Sequence, residues 1–303
     1  MRSPFLTRRP ERRFAIRRVG VVVVLLTGCG GAASATSSGP DRIVAGPQGQ
    51  VGQFVVECRL SHRVADDPII HPGKPGSSHL HQFFGSVVVD ATTTYQEMRA
   101  SGTSCDQQAD TAAYWTPVLL DANDDPVEPL RAVAYYRAGP GIAPTSVVAY
   151  PPSLMMVAGN PHATEEQSLA VVAWSCGTGS ERTAVPRDCS GAESLRLLIT
   201  FPDCWNGVDT TPPDASDPAG YSHVVDSHVV YSKHGECPET HPVSIPQLQL
   251  AVDFRPVAPD GLTFSSGGIL GGHADFWNAW DPDKLRNEVA RCLQRNLVCG
   301  VSG

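Results

Sequence analysis

Residues 66–85 read DDPIIHPGKPGSSHLHQFFG, and no other stretch of the chain places titratable side chains so closely between residues that stiffen the backbone. Prolines and glycines precede a His-Leu-His triplet, which predicts a loop that is held in one shape. In an extended triplet, His79 and His81 lie on one face of the chain and Leu80 lies on the other. The stretch therefore predicts a rigid loop that presents two imidazoles together, followed by phenylalanines that anchor the next segment.

The rest of the chain is a succession of short segments with strand composition, separated by turns that contain 26 prolines and 28 glycines. This spacing predicts an all-β domain. Residues 283–293 differ, because Leu285, Val289 and Leu293 recur at helical spacing. Before them, Asp281 suits an N-cap and Pro282 suits the first turn. The predicted architecture is a disulfide-stapled β-sandwich or jelly roll with long loops and one short C-terminal helix. The strand candidates are 53–60, 86–89, 114–120, 131–137, 146–149, 153–158, 169–174, 195–201, 223–231 and 248–254.

Length and composition favour one main domain. A chain of 303 residues that is 41% hydrophobic can bury a substantial core. We expect a single secreted β-rich domain over residues 48–303, and a monomer. The formal charge of -8 provides no basic surface for nucleic acid, so nucleic acid is not an expected partner.

An export signal is predicted over residues 1–29. A basic region that ends at Arg18 precedes an apolar run at 19–26, which is too short to span a bilayer. The following LTGC, which ends at Cys29, resembles the lipobox of bacterial lipoproteins, and residues 30–47 suit a flexible tether. An ordinary signal peptide with cleavage between residues 32 and 35 is the alternative. The expected location is the outer face of the bacterial cytoplasmic membrane or cell envelope, with the lipid as the only membrane attachment.

The cysteines predict disulfide bonds. With Cys29 assigned to the lipid anchor, eight of the 9 cysteines remain, and an even number in an exported chain favours four disulfides. Eight cysteines allow about a hundred connectivities, and proximity in the sequence favours three pairs, Cys176–Cys189, Cys204–Cys237 and Cys292–Cys299. By elimination, the fourth predicted pair is Cys58–Cys105.

Four ordered blocks carry a resemblance to a known family: the 66–85 loop, YWTPVL at 114–119, FPDCWNG at 201–207 and GHADFWNAWD at 272–281. Together they resemble a secreted family of bacteria and fungi, the domain of unknown function DUF1996, some fungal members of which carry carbohydrate-binding WSC modules. Matches at 227–231 and 237–246 mark His228 and His241. The resemblance covers roughly residues 54–299. It implies fold and export more than chemistry, and Asn206, where the family tends to have aspartate, argues against a catalytic acid there.

Histidines of these blocks are the candidates for catalysis. Imidazoles titrate near neutrality and a carboxylate partner fixes their tautomer, so they suit acid/base chemistry in a hydrolase or lyase that acts on a polysaccharide or cell-wall glycan. The catalytic candidates are His79, His81, His228, His273 and Asp275. The candidates for substrate binding are Asp67, Lys74, Tyr136, Trp205 and Trp277. The aromatic residues among them are expected to form a platform of flat apolar faces for sugar rings.

Three other interpretations of the same residues stay open. In the first, His79, His81 and His228 bind zinc or copper, with Asp275 as a further ligand or as a partner of a ligand. In the second, the protein binds a glycan or has a structural role in the envelope without catalysis. In the third, the histidines only hold loops and turns together by hydrogen bonds.

Overall fold

Two large β-sheets form the framework of the protein. The computed structural model describes residues 52–179, 181–212 and 227–300, so the predicted signal peptide, the tether and the first four residues of the strand candidate at 223–231 lie outside the described residues. The strands are β1 Gln53–Cys58, β2 Leu60–Val64, β3 His81–Gly85, β4 Ala113–Pro117, β5 Leu119–Leu120, β6 Pro129–Arg137, β7 Met155–Gly159, β8 Val172–Cys176, β9 Leu195–Thr200, β10 Cys204–Trp205, β11 Val229–Val230, β12 Val243–Ser244, β13 Gln247–Phe254, β14 Thr263–Phe264, β15 His273–Trp277 and β16 Val298–Cys299.

The order of the strands brings distant parts of the chain together. One sheet has six strands in the order β16-β1-β6-β13-β9-β8, and the other has five in the order β2-β3-β4-β15-β7. Pairing is antiparallel except between β1 and β16, which are parallel. Because β15 pairs with both β4 and β7, a segment near the end of the chain lies inside the sheet that begins with β2 and β3.

The main core lies between these two sheets. On the five-stranded sheet Phe84, Tyr114 and Phe276 point into it, and on the six-stranded sheet Phe54 and Tyr136 do so. Successive residues of a strand point to opposite faces. The neighbours of the first three, which include Phe83, Trp115 and Asp275, therefore lie on the outer face of the five-stranded sheet, together with His81 and His273.

The all-β fold with a C-terminal helix is confirmed, and the differences are local. Helix α2 covers Pro282–Glu288 with Asp281 as its N-cap, and a π-helical turn, Val289–Leu293, completes the predicted helical stretch. A second short helix, α1 Tyr95–Ala100, begins with a capping box formed by Thr94 and Glu97. The predicted strands at 86–89 and 146–149 do not form.

Four disulfides stabilise the fold in the predicted pairing, and they indicate folding in an oxidising environment. Cys58–Cys105 joins the end of β1 to a loop, and Cys292–Cys299 joins the π-helical turn to β16. Within the part of the chain that the structure describes, no helix has the length and hydrophobicity needed to cross a membrane.

Candidate metal centre

Two adjacent carboxylates hold the 66–85 loop over the outer face of the five-stranded sheet. Asp66 accepts hydrogen bonds from the backbone N–H of Gly76 at 2.6 Å and of Ala91 at 3.0 Å. Asp67 accepts from the backbone N–H of Ile69 and Ile70, both at 2.9 Å. Since these bonds tie residues across the loop, the loop has one shape, as its proline and glycine content predicts.

The loop and the sheet bring three imidazoles together. His79 ends the loop, His81 begins β3 and His273 begins β15, and one nitrogen from each lies within 4.8 Å of the others. The Nε2 atoms of His79 and His273 are 3.2 Å apart. His81 and His273 are buried and His79 is half-buried. A histidine cluster thus forms from residues that are 194 positions apart in the chain.

Backbone carbonyls orient two of the rings. The Nδ1–H of His81 donates to the carbonyl oxygen of Asp66 at 2.9 Å, and the Nδ1–H of His273 donates to that of Gly271 at 2.8 Å. Each Nε2 therefore carries a free lone pair, since a neutral imidazole has one N–H. The Nε2 of His81 is buried and has no hydrogen-bond partner among the residues that the structure describes. Such an orphaned acceptor is uncommon in a folded protein.

Burial keeps the cluster neutral. Desolvation, reinforced by His273, lowers the pKa of His79 to about 3. Desolvation, reinforced by His81, lowers the pKa of His273 to about 3. Desolvation likewise holds the pKa of His81 well below its usual range. All three rings are therefore neutral near pH 7, and the neutral imidazole is the form that binds metals.

A buried carboxylate lies beside the histidines. Oxygen atoms of Asp275 and Asp67 and a nitrogen of His81 lie within 4.8 Å of one another. Both carboxylate oxygens of Asp275 are buried without a hydrogen-bond partner in the described ranges. Desolvation, and to a lesser degree the neighbouring Asp67, holds the pKa of Asp275 well above its usual range. An unpaired carboxylate in this position is costly unless a cation or a proton accompanies it.

The cluster faces a pocket of about 190 Å³. His79, His273, Asp67 and Asp275 contribute to its wall. His162 also lines it, from the loop that follows β7. The site is therefore accessible to a small molecule from one side and closed by the sheet on the other.

One glycine permits the close approach of β7 to β15 at the site. Gly159 pairs with His273 and has a φ of 85°. A Cβ atom at this position would lie 2.4 Å from the carbonyl oxygen of Gly272. Only glycine fits both the backbone angle and the space.

The structure does not bring His228 to the cluster. Its ring donates from Nε2 to the carbonyl oxygen of Met155 at 2.7 Å, at the opposite end of β7 from Gly159. Among the described residues His228 belongs to no group that could hold a metal. The predicted grouping of His79, His81 and His228 is therefore corrected, because the structure places His273 and not His228 beside His79 and His81.

The aromatic platform predicted for sugar binding is not present at the cluster. Tyr136 is fully buried. Its hydroxyl group forms a hydrogen bond with the hydroxyl group of Tyr114 and accepts another from the indole N–H of Trp280. Trp277 is only 4% exposed and donates to Ser153. A buried ring cannot stack on a sugar, so both assignments are corrected.

The remaining substrate-binding candidates divide between the pocket and other surfaces. Trp205 is half-buried, donates to the carbonyl oxygen of Asp209, and does not line the pocket. Lys74 is exposed on the loop and also lies outside the pocket wall. Of the five candidates, only Asp67 lies beside the histidines.

Some groups of the site have no signal in the sequence. The backbone carbonyls of Asp66 and Gly271, which orient the rings of His81 and His273, follow from no side-chain pattern. His162 is a lone histidine in a polar loop and has no distinguishing neighbours.

Fold and site together define a disulfide-bonded all-β protein that carries a buried histidine and aspartate cluster at the end of a rigid loop. The chain belongs to the family described as Domain of unknown function (DUF1996), whose model matches residues 67–280, more than half of the 303 residues. No curated protein and no solved structure matches the chain.

Proposed function

We propose that the protein is an extracellular metalloprotein in which His79, His81 and His273 bind one zinc or copper ion. The observation that supports the proposal is the buried Nε2 of His81, which has no partner in the described part of the chain although two further imidazole nitrogens lie within 4.8 Å. A cluster that served only to connect loops would leave this acceptor unsatisfied, at a cost of about 1–3 kcal/mol.

The spacing of the nitrogens suits a tetrahedral ion. Zinc–imidazole bonds of about 2.0–2.1 Å place two ligand nitrogens about 3.3–3.4 Å apart at the edge of a tetrahedron. The separation of 3.2 Å between the Nε2 atoms of His79 and His273 is close to this value. The carbonyl oxygens that accept from the Nδ1 atoms of His81 and His273 supply the usual support of a metal-bound imidazole.

The set of ligands also indicates which metals and which chemistry to expect. Imidazole nitrogens favour zinc and copper over magnesium or calcium, which prefer oxygen ligands. A bound cation would stabilise the charge on Asp275, which is otherwise unpaired. A metal held by three histidines supplies a Lewis acid that can bind water or substrate. On the protein side, Asp275 and Asp67 are placed to orient a group that enters the pocket.

Metal uptake tests the proposal directly. Protein treated with chelator and then dialysed is expected to take up one equivalent of Zn²⁺ or Cu²⁺, measured by elemental analysis. Replacement by Co²⁺ is expected to give the visible absorption of a tetrahedral, nitrogen-rich site. Protein that takes up neither Zn²⁺ nor Cu²⁺ would show that the cluster is only a hydrogen-bonded one.

We also propose that a lipid on Cys29 attaches the protein to the membrane. The LTGC sequence supports it, and the disulfides agree with a location outside the cytoplasm. In a bacterial host grown with labelled palmitate, the wild-type chain is expected to carry the label and the Cys29→Ser variant to lose it. A mature chain that begins between residues 32 and 35 would instead indicate an ordinary signal peptide.

Action on a polysaccharide stays a prediction. The histidine cluster and the accessible pocket agree with it, but the predicted tryptophan and tyrosine platform does not contribute to that pocket. A second depression in the surface bears more directly on sugar binding.

A further inference from the structure

The outer face of the six-stranded sheet carries a second, larger pocket of about 500 Å³. Arg137 at the end of β6 pairs with Gln247 of β13, and Gln249 pairs with Thr200 of β9. Directly paired residues of antiparallel strands point to the same face. These side chains therefore form one polar floor, to which the half-buried Arg182 is added from a loop.

Arg137 is a buried cation that has no anionic partner among the residues that the structure describes. Its side chain is 5% exposed, its Nε has no hydrogen-bond partner within the described ranges, and the guanidinium lies 5.3 Å from the ring centre of Tyr135. Desolvation, with a smaller contribution from Arg182, lowers the pKa of Arg137 to about 10, so it stays charged near neutral pH. The described residues that line this pocket include no aspartate or glutamate. Two arginines without a carboxylate are an arrangement that favours an anionic ligand.

The remaining wall offers hydrogen bonds and one ring face. Gln247, Ser168 and Ser232 line the pocket with amide and hydroxyl groups. Tyr231 is half-buried and its hydroxyl donates to the carbonyl oxygen of Thr200 at 2.8 Å, which leaves the ring as a fixed surface. Amides, hydroxyls and one aromatic face suit a ring that carries several hydroxyl groups, and the volume lies in the range of ordinary ligand pockets.

We call the pocket lined by Arg137 and Arg182 the arginine pocket. From these observations we infer that the arginine pocket binds a uronic acid unit of an acidic glycan, with the sugar carboxylate held by the two arginines. The guanidinium fork matches a carboxylate in a bidentate way, and the amides and hydroxyls bind the ring hydroxyls. Binding at this pocket requires no metal.

A longer chain bound in the arginine pocket would extend towards the candidate metal centre along a third depression. A third depression of about 510 Å³ shares Ser168, Val171 and Tyr231 with the arginine pocket. It shares Val157 with the pocket of the histidine cluster. The third depression also contains Lys233, whose charge suits the same acidic chain. This extension, unlike binding in the arginine pocket, rests on the proposed metal centre.

Calorimetric titration with acidic trisaccharides tests the inference. Trimers of galacturonate, glucuronate and mannuronate are titrated into the full-length, chelator-treated protein, beside a neutral trisaccharide and inorganic phosphate. At least one uronate trimer is expected to bind with a dissociation constant below about 1 mM. Arg137→Gln and Arg182→Gln are each expected to weaken that binding at least about tenfold, because each removes a charge-assisted hydrogen bond.

Two controls separate this binding from general effects. Arg255→Gln is the matched variant, since Arg255 is exposed directly after β13 and lies outside the pocket. The affinity of this variant for the uronate trimer is expected to be unchanged. Arg182 is half-buried, so its variant tests the site even if Arg137→Gln destabilises the fold. Absence of binding for all three uronate trimers would overturn the inference, as would phosphate or the neutral sugar binding as tightly as the best trimer.

Metal addition distinguishes a failure of this inference from a failure of the proposed function. If the chain reaches the metal centre, hexamers are expected to bind more tightly after one equivalent of metal is added, whereas trimers in the arginine pocket are not affected. Uronate binding by a protein that takes up no metal would overturn the metal centre alone. Metal uptake without uronate binding would overturn the arginine site alone.

Discussion

His81→Ala is expected to lower the affinity for Zn²⁺ or Cu²⁺ by more than about 100-fold, because loss of a ligand exceeds the 10–100-fold effect of losing a group that only orients one. His273→Ala and His79→Ala are expected to act in the same direction. His79 is half-buried, so its replacement disturbs the core least. Competition with a chromophoric chelator measures the affinity of each variant.

His228→Ala is the matched control for this series. It removes a largely buried imidazole that donates to the backbone of Met155, and it leaves the cluster intact. The metal affinity of this variant is expected to stay within about twofold of wild type. The variant is expected to be less stable than wild type, because it lacks the hydrogen bond from His228 to Met155. A loss as large as that of His81→Ala would show that the ligand set predicted from the sequence, with His228, is the correct one.

Asp253→Ala is expected to lower the free energy of unfolding by about 3–5 kcal/mol. Asp253 is 1% exposed and accepts from Nε of Arg196 at 2.5 Å and from Nε of Arg131 at 2.9 Å. Burial alone would lower the pKa of Arg196, and the bonds with Asp253 outweigh that effect and raise it. Without the carboxylate, the guanidinium of Arg196 stays buried and unpaired. Urea unfolding of the disulfide-bonded protein measures the change.

Two further variants identify the cause of that loss. Glu57→Gln removes a carboxylate that bonds with Arg131 at 2.8 Å where both side chains are more than 40% exposed, and it is expected to cost less than about 1 kcal/mol. The double variant Asp253→Leu, Arg196→Met is expected to recover much of the stability, because an apolar pair leaves no buried charge. A double variant no more stable than Asp253→Ala would assign the loss to packing instead of charge.

Local patterns were sufficient where both partners are close in the sequence. The pairs of neighbouring cysteines, the N-cap at Asp281 and the His79/His81 pair follow from spacing alone, and the structure contains each of them. Patterns failed where two local preferences compete. Residues 86–89 have strand composition, but the chain turns there to reach the capping box of α1, so no strand forms.

Tyr136 and Arg137 show why side-chain roles were harder to predict than strands. They are adjacent on β6, so period-two alternation requires them to point to opposite faces, but it does not say which face meets the second sheet. The packing of the sheets buries Tyr136 in the main core and places Arg137 in the outer pocket. The binding role predicted for Tyr136 therefore fell on a side chain that the core buries.

The amino-acid sequence by itself determined the all-β class, the three disulfides between neighbouring cysteines and the rigid loop with its two imidazoles, because each depends on contacts between neighbouring or patterned residues. Only the tertiary structure decided that His273 and not His228 joins them. The reason is strand order: β4 pairs with both β3 and β15, which brings His273 to within 3.2 Å of His79. Histidine spacing in the sequence contains no information on that order.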